Sequence, residues 1–205
     1  MLPYPFGLNG DSMNDESIMR LPSTLEAIEN TTRRLGFPMA SDRQTGCLLR
    51  TLAASKPKGH FLELGTGTGL SASWLLDGMC EHSVLKSVDK DLRLSAVAEK
   101  HLGQDSRVEF VVEDGLHFLK SLQGIEKFDL IFADTWPGKY DELELALALL
   151  KRGGLYVIDD MMPQSNWPDD HPPKVRDLLQ TLENLEGYQM TSLCWSTGIV
   201  LVVKQ

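Results

Sequence analysis

Short apolar runs alternate with longer amphipathic segments from about residue 59 to the end of the chain. The runs predict strands, and the segments between them predict helices. The last two runs are separated only by a tight turn, which predicts a hairpin. The predicted strands cover 60–64, 83–88, 107–112, 128–133, 155–158, 188–194 and 199–203. We therefore predict an α/β fold: a doubly wound, seven-stranded, mostly parallel sheet with a C-terminal antiparallel hairpin.

Two helices are predicted before the first strand, each opened by a capping-box pattern that begins at Ser23 or Ser41. Between and after the strands, helices are predicted over about 70–79, 92–102, 115–122, 141–151 and 174–184, with Gly153-Gly154 ending the fourth of these. Residues 161–173 contain four prolines and predict a long loop at the carboxyl edge of the sheet, where loops are usually functional.

The domain prediction is one domain over residues 23–205, made of N-terminal helices over 23–56 and a core over 59–205. Residues 1–22 contain three prolines and predict an irregular N-terminal arm.

The first predicted strand leads into a glycine-rich turn with the spacing ExGxGxG, between Phe61 and Leu76. Glycine permits positive φ angles and lets a ligand approach bare main chain. The spacing differs from the GxGxxG of dinucleotide-binding turns. The candidate cofactor-binding residues of this stretch are Glu63, Gly65, Thr66, Gly67, Gly69 and Ser71.

Acidic residues follow the second, third, fourth and fifth of the predicted strands, and Asp114 is the one that follows the third. Asp89 ends the second strand, where a carboxylate can accept both hydroxyls of a ribose; a solvated strand-end aspartate is the alternative. Asp134 ends the fourth strand, and Asp159 and Asp160 end the fifth. Three carboxylates at one sheet edge repel one another unless a cation lies between them, and Mg²⁺ prefers such oxygen ligands. Capping of the loop and hydrogen bonding to main chain are the structural alternatives for these three.

The glycine turn, the segment FDLIFADTWPGKY and the segment YVIDDM together resemble the class I S-adenosylmethionine-dependent methyltransferases, in particular the catechol and caffeoyl-CoA type O-methyltransferases. This resemblance implies a Rossmann-like methyltransferase fold, S-adenosylmethionine as cofactor, and methyl transfer to a hydroxyl of a small, aromatic or vicinal-diol acceptor. It implies that Asp134, Asp159 and Asp160 bind Mg²⁺ or another divalent cation. It also implies cofactor contacts from Asp114, Gly115 and Asp134, although Asp114 is equally suited to cap the next helix.

The chain departs from that family at two positions. Asp160 stands where the family has asparagine, and Pro137 stands where the catechol enzymes have the lysine that serves as base. Lys139 follows two residues later and is the candidate base if Gly138 permits the turn. Lys139 and Asp134 are the candidate catalytic residues. His171 is the alternative base. Trp136, Trp167, Met161 and Met162 are candidates to line an acceptor pocket, or else pack under a lid.

Composition narrows the alternatives. The 205 residues include 20 Lys and Arg and 29 Asp and Glu, which gives a net charge of −9. This negative charge disfavours nucleic acid as a partner. The three cysteines are scattered, no apolar run is long enough to span a membrane, and the N-terminus lacks the pattern of a secretory signal. We therefore expect a cytoplasmic enzyme with a small-molecule partner and no membrane partner, and a homodimer remains open. A non-catalytic cofactor-binding domain and an NAD-dependent oxidoreductase are the alternatives.

Overall fold

The computed structural model describes residues 20–125, 127–165 and 167–205. Its elements, in chain order, are α1 (Leu25–Leu35), α2 (Arg43–Ala54), β1 (His60–Leu64), α3 (Leu70–Gly78), β2 (Val84–Asp89), α4 (Leu92–Leu102), β3 (Val108–Val112), α5 (Gly115–Ser121), β4 (Phe128–Ala133), α6 (Leu143–Ala148), β5 (Leu150–Ile158), α7 (His171–Glu183), β6 (Tyr188–Leu193) and β7 (Ile199–Lys204). The predicted arm over residues 1–22 lies almost wholly outside the described residues. Among the described residues, every helix is too short or too polar to cross a membrane.

The strands form one sheet in the order β3-β2-β1-β4-β5-β7-β6. The first five pair in parallel, whereas β7 pairs antiparallel with both β5 and β6. This confirms the predicted fold class. Strand order reverses between β1 and β4, and ligands of open α/β sheets bind outside the carboxyl ends of the strands at such a point.

Alternate residues of the central strands enter two hydrophobic clusters on opposite faces of the sheet. On one face, Leu62 and Ile131 pack in a cluster with side chains of α5, α6 and α7. On the other face, Phe61 and Leu130 pack with side chains of α1 to α4. Burial on both faces makes the strands of the middle of the sheet almost continuously apolar.

The prediction was wrong at the junction of α6 and β5. A helix was expected over 141–151 with Gly153-Gly154 as its end, but α6 spans only Leu143–Ala148 and β5 begins at Leu150. Leu150 is buried and pairs with Phe128, so the pairing of β4 with β5 begins at the first residue of β4. The two glycines lie inside β5, next to a register shift in its pairing with β4.

The proline-rich loop is shorter than predicted, because α7 begins at His171 and not near residue 174. Pro172 and Pro173 occupy the first turn of this helix. Proline is tolerated there because the first amide groups of a helix have no partner within the helix.

The capping boxes did not form as predicted. Thr24 is the N-cap of α1 and makes no side-chain cap bond. Asp42, not Ser41, caps α2, and its carboxylate accepts the amide N–H of Thr45 at 2.8 Å. Ser41 is thereby released for another contact, described below.

Candidate functional site

The glycine-rich turn follows β1 at the carboxyl edge of the sheet. Gly65 has a φ angle of +102°, and a Cβ atom there would lie 2.9 Å from the carbonyl oxygen of Asp134. Gly67 has a φ angle of +50°. Positive φ and close approach both favour glycine at these positions, so bare main chain lines the cavity described below.

The carboxylate of Asp89 is held in a fixed orientation at the end of β2. One oxygen accepts the amide N–H of Gly67 at 2.8 Å, and the other accepts the amide N–H of Asp91 at 2.9 Å. A carboxylate fixed at the end of this strand, beside the glycine turn, suits a pair of ribose hydroxyls.

Glu63 lies behind the turn and is fully buried. Ser87 donates a hydrogen bond to its Oε2, while Oε1 has no hydrogen-bond partner among the described residues. Burial raises the pKa of Glu63 to about 7, opposed by the nearby hydroxyls of Ser71 and Ser87. Glu63 therefore supports the turn from below and does not line the cavity.

Asp114 caps α5, because its Oδ1 accepts the amide N–H groups of Leu116 and His117, each at 3.1 Å. It also lines the cavity, so capping leaves it available to a ligand. Gly115 lies beside Pro137, where a Cβ atom would be 3.1 Å from the proline ring.

One cavity of about 740 Å³ joins the glycine turn to the loops after β4 and β5. The predicted cofactor residues that line it are Gly65, Thr66, Gly67, Ser71, Asp89, Asp114 and Asp134; Glu63, Gly69 and Gly115 lie outside the lining. At its other end the lining includes Trp136, Trp167 and His171. Met161 is buried in the core and Met162 is not part of the lining.

Asp134, Asp159 and Asp160 all reach this cavity. Burial, and then the Asp159 and Asp160 charges, raise the pKa of Asp134 well above its ordinary value. Burial likewise raises the pKa of Asp159, to about 6, and the pKa of Asp160 is raised for the same reason. When the three carboxyl groups are ionised, they place negative charges close together, and a cation or a bound proton must offset that charge.

Lys139 supplies positive charge at this place. Gly138, with a φ angle of +82°, turns the chain after Pro137, and the Lys139 side chain is only 3% exposed and lines the cavity. Its Nζ donates a hydrogen bond to the carbonyl oxygen of Asp159 at 2.6 Å. Burial lowers the pKa of Lys139, while the three carboxylates oppose that shift.

The predicted metal ligands have the right chemistry, since Mg²⁺ prefers carboxylate oxygens, but their side chains are not grouped as a metal site in this structure. In the described part of the chain, no group of three His, Cys, Asp or Glu side chains is arranged to hold one. Asp134 Oδ2 accepts the hydroxyl of Ser41 at 2.9 Å, and Asp159 Oδ1 accepts both the Thr197 hydroxyl and the Asp160 amide. We derive no step through a metal.

The far end of the cavity is built from aromatic rings. Trp167 stacks on His171, with ring centroids 4.1 Å apart and planes 5° from parallel. Tyr140 packs edge-on against both Trp136 and His171, and its hydroxyl lies 2.8 Å from His171 Nε2. Flat apolar walls with a few polar groups are typical of small-molecule sites.

Sequence reasoning missed the residues that reach the site from distant parts of the chain. Ser41 contacts Asp134 from the loop before α2, and Thr197 contacts Asp159 from the turn between β6 and β7. Asp42 adds a further negative charge that raises the pKa of Asp159. No local pattern marks these residues, because only the tertiary fold brings them to the cavity.

Comparison with known proteins gives this arrangement a class. A family model described as "Methyltransferase domain" matches residues 62–161. The catechol O-methyltransferase of Niastella koreensis is 29% identical over 154 residues, which is 72% of this chain and 70% of that protein. A relative from Mycobacterium avium that carries the name of an O-methyltransferase is 34% identical over 119 residues, 55% of this chain and 53% of its own. The chain thus spans about half the length of this mycobacterial relative.

Solved structures show the same fold. The O-methyltransferase of Bacillus cereus in complex with S-adenosylhomocysteine aligns with a TM-score of 0.82 at 20% identity, covering 93% of this chain and 94% of that one. The O-methyltransferase TomG of Streptomyces achromogenes, in complex with S-adenosylmethionine, aligns with a TM-score of 0.80 at 23% identity, covering 93% of each chain. The fold of this chain is therefore the fold of these methyltransferases. Its sequence is similar to a methyltransferase domain over residues 62–161 and to proteins named as O-methyltransferases.

Proposed function

We propose that the protein transfers a methyl group from S-adenosylmethionine to a hydroxyl of a small, aromatic or vicinal-diol acceptor. The observation that carries this proposal is one continuous cavity, which runs from the glycine turn and Asp89 to the aromatic wall of Trp136 and Trp167. It offers a cofactor and a flat acceptor one continuous space, and methyl transfer depends on such an alignment of the two.

The residues of the cofactor half would hold a nucleoside and an amino-acid tail. Asp89 would accept the ribose hydroxyls, Asp114 would contact the base, and the main chain from Gly65 to Gly67 would approach the remainder. The cofactor supplies an electrophilic methyl group on a sulfonium.

Lys139 and Asp134 are the catalytic residues of this proposal. Lys139 lies in the cavity beside three carboxylates. As the ammonium, which the three neighbouring carboxylates favour, it stabilises negative charge that develops on the acceptor oxygen. The role of base that the sequence predicts for Lys139 would require the neutral amine. Asp134 offsets the Lys139 charge at the end of β4.

The divalent cation implied by the resemblance remains a prediction for Asp134, Asp159 and Asp160. Since the oxygens of Asp134 and Asp159 already accept hydrogen bonds and Lys139 is buried in the same place, we expect cofactor binding that does not depend on a metal.

The test is calorimetric titration of S-adenosylhomocysteine into the purified protein, first with Mg²⁺ and then with EDTA. We expect the same Kd in both conditions. A Kd that tightens with Mg²⁺, and loses this effect in Asp160→Ala, would instead assign these carboxylates to a metal. Absence of binding in both conditions would overturn the proposed function, and binding without turnover of any hydroxyl acceptor would favour a non-catalytic cofactor-binding domain.

A further inference from the structure

We propose that His171, oriented by Tyr140, is the catalytic residue that takes the proton from the acceptor hydroxyl. This inference rests on the proposed function and adds a residue to it. It assigns to the start of α7 a role that the resemblance gives to a lysine after β4.

His171 is built into the cavity wall and is not a solvated loop residue. It is only 8% exposed, although it follows a proline-rich loop. The Trp167 ring stacks on one face of the imidazole, and the Tyr140 ring packs edge-on against it. These contacts restrict the ring to one orientation, as a catalytic base requires.

The hydrogen bonds of His171 leave one ring nitrogen for a ligand. Nε2 lies 2.8 Å from the Tyr140 hydroxyl, whereas Nδ1 has no hydrogen-bond partner among the described residues. If Nε2–H donates to the Tyr140 oxygen, Nδ1 carries the lone pair. In histidines, the hydrogen bond made by one ring nitrogen commonly decides whether the other ring nitrogen carries a proton.

Burial and the charge of Lys139 favour a neutral imidazole. The groups that act on it are Tyr140, Lys139, Asp160, Asp170 and Lys174. Burial and then Lys139 lower the pKa of His171, while Asp160 and Asp170 oppose them. Burial also raises the pKa of Tyr140, so its hydroxyl keeps its proton and is a neutral partner of Nε2.

The proton transfer balances without a further reactant. The acceptor O–H bond breaks and its proton goes to Nδ1 of His171, while the acceptor oxygen attacks the methyl carbon of S-adenosylmethionine. The bond between sulfur and the methyl group breaks, and its electron pair stays on sulfur. The imidazolium then returns its proton to water. With His171 as the base, Lys139 stays charged and stabilises the developing negative charge on oxygen.

The first experiment needs no acceptor. ¹⁵N-labelled protein with saturating S-adenosylhomocysteine is examined by long-range ¹H–¹⁵N NMR of the histidine rings, with His171→Gln used to assign the signal. We expect a neutral ring at pH 7 with the proton on Nε2, and a mixture of tautomers in Tyr140→Phe. A ring protonated on Nδ1, or on both nitrogens, at pH 7 would overturn the proposal.

The second experiment separates His171 from Lys139 with 3,4-dihydroxybenzoate as the acceptor probe. His171→Gln should lower kcat by about 10²-fold or more, leave the Kd of S-adenosylhomocysteine within about twofold, and remove the acid limb of the pH profile. His82→Gln, an exposed histidine outside the cavity, is the matched control. Lys139→Met should keep the acid limb at a lower kcat.

The outcomes distinguish the two proposals. If His171→Gln keeps the acid limb and Lys139→Met loses it, Lys139 is the base and this inference is wrong. If the wild-type protein binds no S-adenosylhomocysteine, the proposed function fails, whereas the tautomer measured on the ligand-free protein still decides whether His171 presents a free Nδ1.

Discussion

At the residue scale, the buried carboxyl of Glu63 is expected to make the stability of the protein depend on pH. Its pKa is about 7 in the fold, against 4.5 as the ordinary value, because burial disfavours the charged form. The folded state therefore binds more protons than the unfolded state between these values. The resulting stabilisation is fully present below pH 4.5 and is lost as pH rises through 7, by about 3 kcal/mol for this shift.

Glu63→Gln removes this titration, so its melting temperature should fall less than that of the wild type between pH 5 and pH 8. Differential scanning fluorimetry across this range measures the two slopes. Glu109→Gln, on the edge strand β3 and more than half exposed, should keep the wild-type slope. Equal slopes in Glu63→Gln and the wild type would contradict the prediction.

A second prediction at this scale concerns the contribution of Lys139 to kcat. Lys139→Met removes the positive charge beside three carboxylates, and we expect kcat to fall by about 10²–10³-fold, as for the loss of a group that stabilises developing negative charge. Binding of S-adenosylhomocysteine, measured by calorimetry, should remain, since the cofactor half of the cavity is unchanged. Lys100→Met on the exposed face of α4 is the control. If Lys139→Met kept the wild-type kcat, the proposed catalytic role of Lys139 would be wrong.

Single residues also show where sequence reasoning reached its limit. Lys139 could be predicted as a site residue from the sequence, because the glycine that turns it toward the site, Gly138, is its neighbour in the chain. Ser41 could not be named, since its contact with Asp134 spans 93 positions of the chain. Its local pattern suggested a helix cap, a role that Asp42 fills.

At the element scale, α2 and α3 approach each other through Gly46. A Cβ atom at Gly46 would lie 2.2 Å from the Trp74 ring, which is itself buried. Alanine normally favours a helix over glycine by about 1 kcal/mol, but overpacking of a core typically costs about 1–3 kcal/mol. We therefore expect Gly46→Ala to destabilise the protein, contrary to helix propensity.

Urea unfolding of Gly46→Ala, compared with Thr51→Ala on the exposed face of the same helix, measures this effect. Thr51→Ala should stay within about 0.5 kcal/mol of the wild type. If Gly46→Ala is as stable as the wild type or more stable, the close packing of α2 on α3 is wrong.

Element boundaries were predictable where apolar pattern and punctuation agreed, as at β1 and β4, whose bounds match. Element boundaries were not predictable where one residue type can serve two structural purposes. Gly153 and Gly154 read as a helix end but accommodate an irregularity inside β5. Pro172 and Pro173 read as loop but fit the first turn of α7, and that difference brings His171 onto a helix.

At the scale of the whole molecule, the order of the strands explains why the candidate site could be predicted in outline. Alternating strands and helices imply a parallel sheet, and parallel strands present their carboxyl ends at one edge. Asp89, Asp134 and Asp159 therefore had to converge whatever the loops did. The side chains that contact Asp134 and Asp159 come from the loop before α2 and from the last hairpin, and no spacing in the sequence encodes those contacts.

The cavity has a cofactor half and an acceptor half, and ligand-induced stabilisation should separate them. S-adenosylhomocysteine at about 100 times its Kd should stabilise the wild type by about 2.7 kcal/mol, which raises Tm by about 5–10 °C for a chain of this size. Asp89→Ala should lose most of this shift, because the ribose hydroxyls lose their acceptor. His171→Gln, in the acceptor half, should keep it, as should the surface control Asp177→Asn. Loss of the shift in His171→Gln would mean that the aromatic end of the cavity also holds the cofactor, and the division of the cavity into two halves would then be wrong.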